Sequence, residues 1–229
     1  MLRGAIFDFD GVIVDSHPVH KRAWKRLLES VGIAASEEDL QFVTDGRTRD
    51  DILRHFLGVL DPKQLVEYGL RKEHYFREEA ASVGPVRGLL SLLKELEEAH
   101  LALGIASSGS RGRIDFLLGQ LELTKRFQIV ITGDEVKYGK PHPAVFLKAA
   151  EGLQMPPSEL IAFEDAISGV KAAKSAGMTC IGIAAADRAP ALRRAGAKHV
   201  VPDFRPLSYS KLQEIFCRSY ELKPAGSSL

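Results

Sequence analysis

The chain has 229 residues, 45% hydrophobic and 27% charged, which suits one large domain or a core with a modest insertion. Its 31 basic and 30 acidic residues leave a net charge of +1, so there is neither a basic excess for nucleic acid nor an acidic tail. Cys180 and Cys217 have neither metal-ligand spacing nor a disulfide framework, no apolar stretch approaches the ~18–20 residues of a membrane span, and Asp8 and Asp10 interrupt the apolar run that a secretory leader needs. A soluble cytoplasmic protein that engages neither membrane nor nucleic acid is the expectation, and the near-neutral charge favours a monomer.

The first expected element is a strand over residues 3–7, from which Asp8 and Asp10 emerge two residues apart and on one face before Gly11 turns the chain. Two adjacent carboxylates repel, so the pair needs a cation, a shared proton or a chemical task. Val19, Ala23, Leu27, Leu28 and Val31 then recur at helical spacing, with Gly32 placed to stop the helix. Ile52, Leu53, Phe56 and Leu57 mark a second helix, and Pro62 opens a third that runs to about Ser82. No strand pattern interrupts residues 15–82, which read as an all-helical insert.

From Val83 onward strands and helices alternate. Pro85 is expected to open a helix through Leu96; strands are expected over 101–106, 127–132, 160–163, 179–183 and 199–201, with helices between them and a last helix over 207–219. The tail 223–229 is expected to fray. Such alternation predicts an α/β fold, a doubly wound parallel sheet of Rossmann-like type with the helical insert added. The domains are then 1–14 with 83–229 for the core and 15–82 for the insert.

Polar residues succeed these strands. Asp8 and Asp10, Ser107, Lys140, and Glu164 with Asp165 each lie directly after an apolar strand or in the loop beyond it. In an open parallel sheet those loops gather at the carboxyl edge, where ligands bind. Carboxylates, a hydroxyl and an ammonium gathered there suit a hard divalent cation such as Mg²⁺ together with the oxygens of a phosphate.

Four segments carry a resemblance that spans essentially the whole chain. FDFDGVIVDS (7–16), IASSGS (105–110), GKPHP (139–143) and FEDAISGVKAAKSAGM (163–178) resemble, in order and spacing, the four motifs of the haloacid dehalogenase superfamily. The similarity is to the phosphatase and β-phosphoglucomutase-like branch with a small helical cap. It implies that Asp8 is the nucleophile and forms an aspartyl-phosphate, and that Asp10 is the acid and base. Ser107 and Lys140 would hold phosphoryl oxygens, with the backbone N–H groups of Ser108 and Gly109 as further donors. Mg²⁺ would be held by Asp8, the Asp10 carbonyl and Asp165, with Glu164 behind them or bridged by water. An aspartate at position 10 argues against the dehalogenases, which have no alkoxide to protonate. Ala144 departs from the family, which usually has aspartate there, and that puts local support of Lys140 in question.

The cap segments DSHPVHKRAW, GRTRDD and LRKEHYF are similar to β-phosphoglucomutase, which implies substrate-side roles for His20, Trp24, Arg49 and Lys72. Other readings stand beside these. His20 and Trp24 lie one turn apart and fit packing at the cap–core seam, Arg47 and Thr48 do not match typical mutases, and Lys72 sits in a charged helix whose lysines are expected in solvent. The expected substrate is a small phosphorylated metabolite, with hydrolysis ahead of isomerisation and a non-catalytic binding module as the remaining alternative.

Overall fold

A computed structural model describes residues 1–44 and 47–221. Its centre is a six-stranded parallel sheet in the order β3-β2-β1-β4-β5-β6. The strands are β1 (Gly4–Phe7), β2 (Ala102–Ala106), β3 (Ile129–Ile131), β4 (Leu160–Glu164), β5 (Thr179–Ile183) and β6 (His199–Val201). Both faces of β1, β4 and β5 are buried, which is why they read as continuous apolar runs rather than alternating ones. The order reverses at β1, with β2 on one side and β4 on the other, so the crevice expected in doubly wound sheets opens above β1.

Helices cover the two faces: α5 (Leu89–Glu98), α6 (Arg111–Gln120), α7 (Ala144–Gly152), α8 (Ile167–Ser175), α9 (Ala189–Ala195) and α10 (Tyr209–Glu221). One apolar layer centres on Phe7, whose ring stacks on Phe163 at 4.7 Å and meets the Phe127 edge at 6.0 Å. The other layer gathers Ile6, Phe146, Ala149 and Ala162 with the alanine-rich face of α8.

Between β1 and α5 the chain forms α1 (His17–Ser30), α2 (Glu37–Phe42), α3 (Arg49–Leu57) and α4 (Pro62–Glu79), with a small core of their own around Trp24, Leu27, Leu53 and Leu65. The insert leaves and rejoins the core side by side: Val14 bridges Pro85, and the Asp15 N–H donates to the Gly84 carbonyl at 2.9 Å. Among the described residues no helix is long and apolar enough to cross a membrane.

Two local expectations change. Pro85 does not open a helix, because it lies in the bridge with Val14 and α5 begins only after Gly88, whose φ of 81° favours glycine. The short α2 escapes the apolar periodicity because only Leu40 is buried in it; its signal is the Ser36–Asp39 capping box. The tail expectation for 223–229 lies outside the described residues.

Phe7 is fully buried at the centre of the first of these layers, so Phe7→Ala should destabilise the protein by about 3–5 kcal/mol. Urea unfolding of the two proteins measures this; a loss under about 1 kcal/mol would mean the aromatic cluster repacks around the gap.

Candidate active site

The carboxyl ends of β1, β2 and β4 bring the motif residues together. Asp8 comes directly after β1 and is fixed by its N–H bond to the Phe163 carbonyl at 2.9 Å. Ser107 comes directly after β2, and its N–H reaches the Ile131 carbonyl at 3.0 Å. Glu164 ends β4 with Asp165 directly after it. Lys140 comes from the loop between β3 and α7 and is buried.

Lys140 is the hub of this floor. Its Nζ donates to Asp8 Oδ1 at 2.5 Å, to Glu164 Oε1 at 2.6 Å and to the Ala106 carbonyl at 3.1 Å. Burial would lower its pKa, but Asp8 and then Glu164 overcome that and raise it, so the ammonium stays charged. The absent aspartate at position 144 leaves this arrangement intact, and the Ala144 N–H at the start of α7 donates to His142 Nδ1 at 3.2 Å.

Asp8, Glu164 and Asp165 each present a carboxylate oxygen, all within 4.8 Å of one another and all buried. Burial pushes the Asp8 carboxyl well up; Lys140 opposes that, while Glu164, Asp165 and Asp10 add to it. Three buried carboxylates share one buried ammonium, and an all-oxygen donor set of this kind fits a hard divalent cation. Glu164 is committed elsewhere, with Oε1 on Lys140 and Oε2 accepting the Ala166 N–H at 2.9 Å, in keeping with an outer position. Asp165 Oδ2 is bonded at 2.7 Å by His17 Nε2, and this bond raises the His17 pKa against the effect of burial. Gly11, at φ 75°, is what lets His17 approach, since a Cβ there would lie 2.3 Å from Nε2.

Asp10 points away from this cluster. Its Oδ1 accepts from Ser16 Oγ at 2.5 Å, His20 Nε2 at 3.0 Å and Arg113 Nη1 at 2.7 Å, and its Oδ2 accepts from Arg113 Nη2 at 2.7 Å. Burial alone would raise its pKa, but the Arg113 guanidinium and then His20 hold it well below the usual carboxylate range. Any metal contact from residue 10 is thus left to its backbone carbonyl.

A cavity of about 240 Å³ opens above the floor. Asp8, Asp10, His20, Trp24, Arg49, Lys72, Ser107, Ser108, Gly109 and Asp165 all line it, so the sequence-derived set converges. Lys140 and Glu164 are not among its lining residues; Lys140 bonds Asp8 and Glu164 together below it. The Gly109 N–H is already used, donating to Ser107 Oγ at 3.0 Å, so it braces Ser107 rather than facing a ligand.

Lys72 is buried, contrary to the solvated reading. Its Nζ donates to His20 Nδ1 at 2.9 Å and lies 4.9 Å from the Phe76 ring centroid. His20 is then the neutral tautomer with its proton on Nε2, facing Asp10, consistent with a pKa lowered to about 3 by burial and then by Lys72. Burial, followed by Arg113, lowers Lys72 to about 7.

Arg113 and His17 are the site residues that the motif reading missed. Arg113 had a signal: it stands one turn before Leu117 on the buried stripe of α6, where a cation demands a partner. His17, at the start of α1, had none.

A family profile described as haloacid dehalogenase-like hydrolase matches residues 5–183. The chain is 30% identical over 196 residues to the validoxylamine A 7'-phosphate phosphatase of Streptomyces hygroscopicus subsp. limoneus, covering 85% of this chain and 92% of that protein. It is 32% identical over 179 residues to a phosphorylated carbohydrates phosphatase of Thermotoga maritima, covering 77% and 82%. Among solved structures, a β-phosphoglucomutase from Clostridium difficile superposes with a TM-score of 0.87 at 26% identity, covering 97% and 100%.

Lys72 titrates lower in the folded chain than its ordinary 10.5, so its charge is a folded-state penalty, full below pH about 7 and fading as the pH climbs toward 10.5. Lys72→Met should therefore raise Tm at pH 6 by roughly 4 °C, with the gain shrinking by pH 9. Thermal unfolding at the two pH values decides this; a loss of Tm at pH 6 would mean that the His20 bond outweighs the buried charge.

Proposed function

We propose, for a chain that belongs to the haloacid dehalogenase-like hydrolases and to their phosphatase and phosphomutase branch, that it hydrolyses phosphate monoesters of small sugars or related metabolites through an aspartyl-phosphate on Asp8. The observation that carries this is the Lys140-held Asp8 beside Asp165, with Asp10 two residues on and turned into the cavity. The division into a 1–14 and 83–229 core with a 15–82 cap goes with this reading, as does a monomer working in the cytoplasm.

In the first half-reaction an Asp8 carboxylate oxygen bonds to phosphorus as the ester P–O bond breaks, and Asp10 gives its proton to the leaving oxygen. In the second, Asp10 takes a proton from water. The water oxygen bonds to phosphorus, the Asp8–phosphorus linkage breaks, and inorganic phosphate leaves. Lys140 holds Asp8 in place for the attack through its bond to Oδ1. Ser107 Oγ already accepts from Gly109, which leaves its hydroxyl proton for a phosphoryl oxygen. Asp8, Asp165 and the Asp10 carbonyl would hold Mg²⁺, with Glu164 outside them, and the ion supplies neutralisation of the phosphoryl charge. The helical cap, hinged where Val14 meets Pro85, excludes water.

Isomerisation of a sugar phosphate is the second reading, favoured by Arg49 and Lys72 in the cavity wall and by the mutase superposition. Incubation with Mg²⁺ and β-glucose 1-phosphate, with and without a trace of β-glucose 1,6-bisphosphate, separates the two. Free phosphate is the expected product; bisphosphate-dependent glucose 6-phosphate without free phosphate would establish the mutase. Across a panel of sugar phosphates, Asp8→Asn should reduce turnover by about 10⁴-fold or more with the fold intact, and Lys140→Ala by about 10²–10³-fold. Turnover by Asp8→Asn near that of the native chain would remove the nucleophile assignment.

A further inference from the structure

Lys72 is a buried amine that the hydrolytic steps leave unused. It belongs to α4 of the insert, lines the cavity, and has no ion pair with a carboxylate among the described residues. Its Nζ donates instead to the neutral His20 Nδ1 at 2.9 Å, and the rings of Phe76 and Trp24 stand beside it with centroids at 4.9 and 5.7 Å. A lysine kept from water without an anion is a poor ammonium, and as an amine it is a nucleophile.

A neighbouring cation decides which of two charges gives way. Arg113, buried in α6, lies 5.3 Å from the centroid of the same Phe76 ring and is held bidentately by Asp10. A guanidinium keeps its proton inside a protein, whereas a buried lysine can lose one. Around Lys72 also stand His20 on α1, Arg49 on α3, Asp10 after β1 and Glu73 beside it on α4. Burial and then Arg113 outweigh the two carboxylates and bring Lys72 down to about 7. The neutral amine still gives one hydrogen to His20 and keeps a lone pair for a carbon electrophile in the cavity.

We propose that Lys72 is a covalent capture site, whose amine forms an imine with the carbonyl carbon of an aldehyde-bearing phosphate ester seated with its phosphate on the Asp8 floor. The proposal rests on the phosphoryl-transfer reading above for the place of the phosphate, and adds to it a ligand class, the open-chain aldehyde phosphates. The Lys72 nitrogen bonds to the carbonyl carbon while the C–O π pair moves to oxygen. That oxygen then leaves as water with the two amine hydrogens, and C=N remains. No oxidant or reductant is consumed, and water reverses the step.

Reductive trapping reads the capture without turnover. The Asp8→Asn chain, which does not consume the ester, is incubated with glyceraldehyde 3-phosphate and cyanoborohydride at pH 7.5, then digested and mapped by mass spectrometry. Reduction turns each imine into a stable secondary amine. Lys72 should carry at least about tenfold more adduct than any exposed lysine, because those remain ammonium at this pH. Glyceraldehyde without its phosphate should label Lys72 about tenfold less at the same concentration. Glycerol 3-phosphate, which has no carbonyl, should protect Lys72 by competing for the floor. Adduct confined to exposed lysines, or equal labelling of Lys72 by the two aldehydes, overturns the proposal. If Asp8→Asn does not fold, the native chain in EDTA gives the same readout. Failure of the phosphoryl-transfer reading would show separately, as absence of phosphate release from every ester by the native chain with Mg²⁺.

Discussion

The structure depends on one electrostatic constraint: Asp8, Glu164 and Asp165 are crowded into a buried floor with Lys140 as the ammonium bonded among them. Carboxylates within 4.8 Å of one another repel strongly where water is excluded. Lys140 makes that floor possible by bonding two of the three, and a divalent cation would complete the neutralisation. Asp165 is met in turn by His17 Nε2 at 2.7 Å and by Arg188 Nη1 at 3.9 Å, and the charge left unmatched on the floor is what a hard cation would offset. A buried ionic cluster of this kind adds little to stability.

Sheet topology is what assembles it. Reversal of strand order at β1 puts Asp8 between the ends of β2 and β4, so Ser107, Glu164 and Asp165 arrive from opposite sides. The insert is placed at the β1 turn, directly after Asp8, and its cavity-facing residues His20, Trp24, Arg49 and Lys72 form the far wall. Fold and floor were legible in the sequence for one reason. A parallel strand is an apolar run, and the residues just past its end lie at the carboxyl edge, so position along the chain converts directly into position at the site.

The far wall was harder to read because it depends on which way helical side chains turn. Lys72 looks like one lysine among several in a charged helix; only the packing of α4 against α1 shows it buried on His20. Arg113 belongs to no motif, yet it sets the state of Asp10 by coming within reach across a glycine. Ala144 shows the opposite case, a departure visible in the sequence that leaves the bonds of Lys140 to Asp8 and Glu164 in place. Pro85 misled because proline opens helices and also ends hinge strands, and the Val14 bridge decides between them.

The central claim is that phosphorus is carried on Asp8. Borohydride reduces an acyl phosphate to an alcohol, which converts the aspartate that carried it into homoserine. Native enzyme quenched into borohydride during turnover of a sugar phosphate, then digested and read by mass spectrometry, should show homoserine at position 8 only, and none without substrate. Homoserine or phosphate at any other residue, or unmodified Asp8 in enzyme quenched during active turnover, would contradict the account.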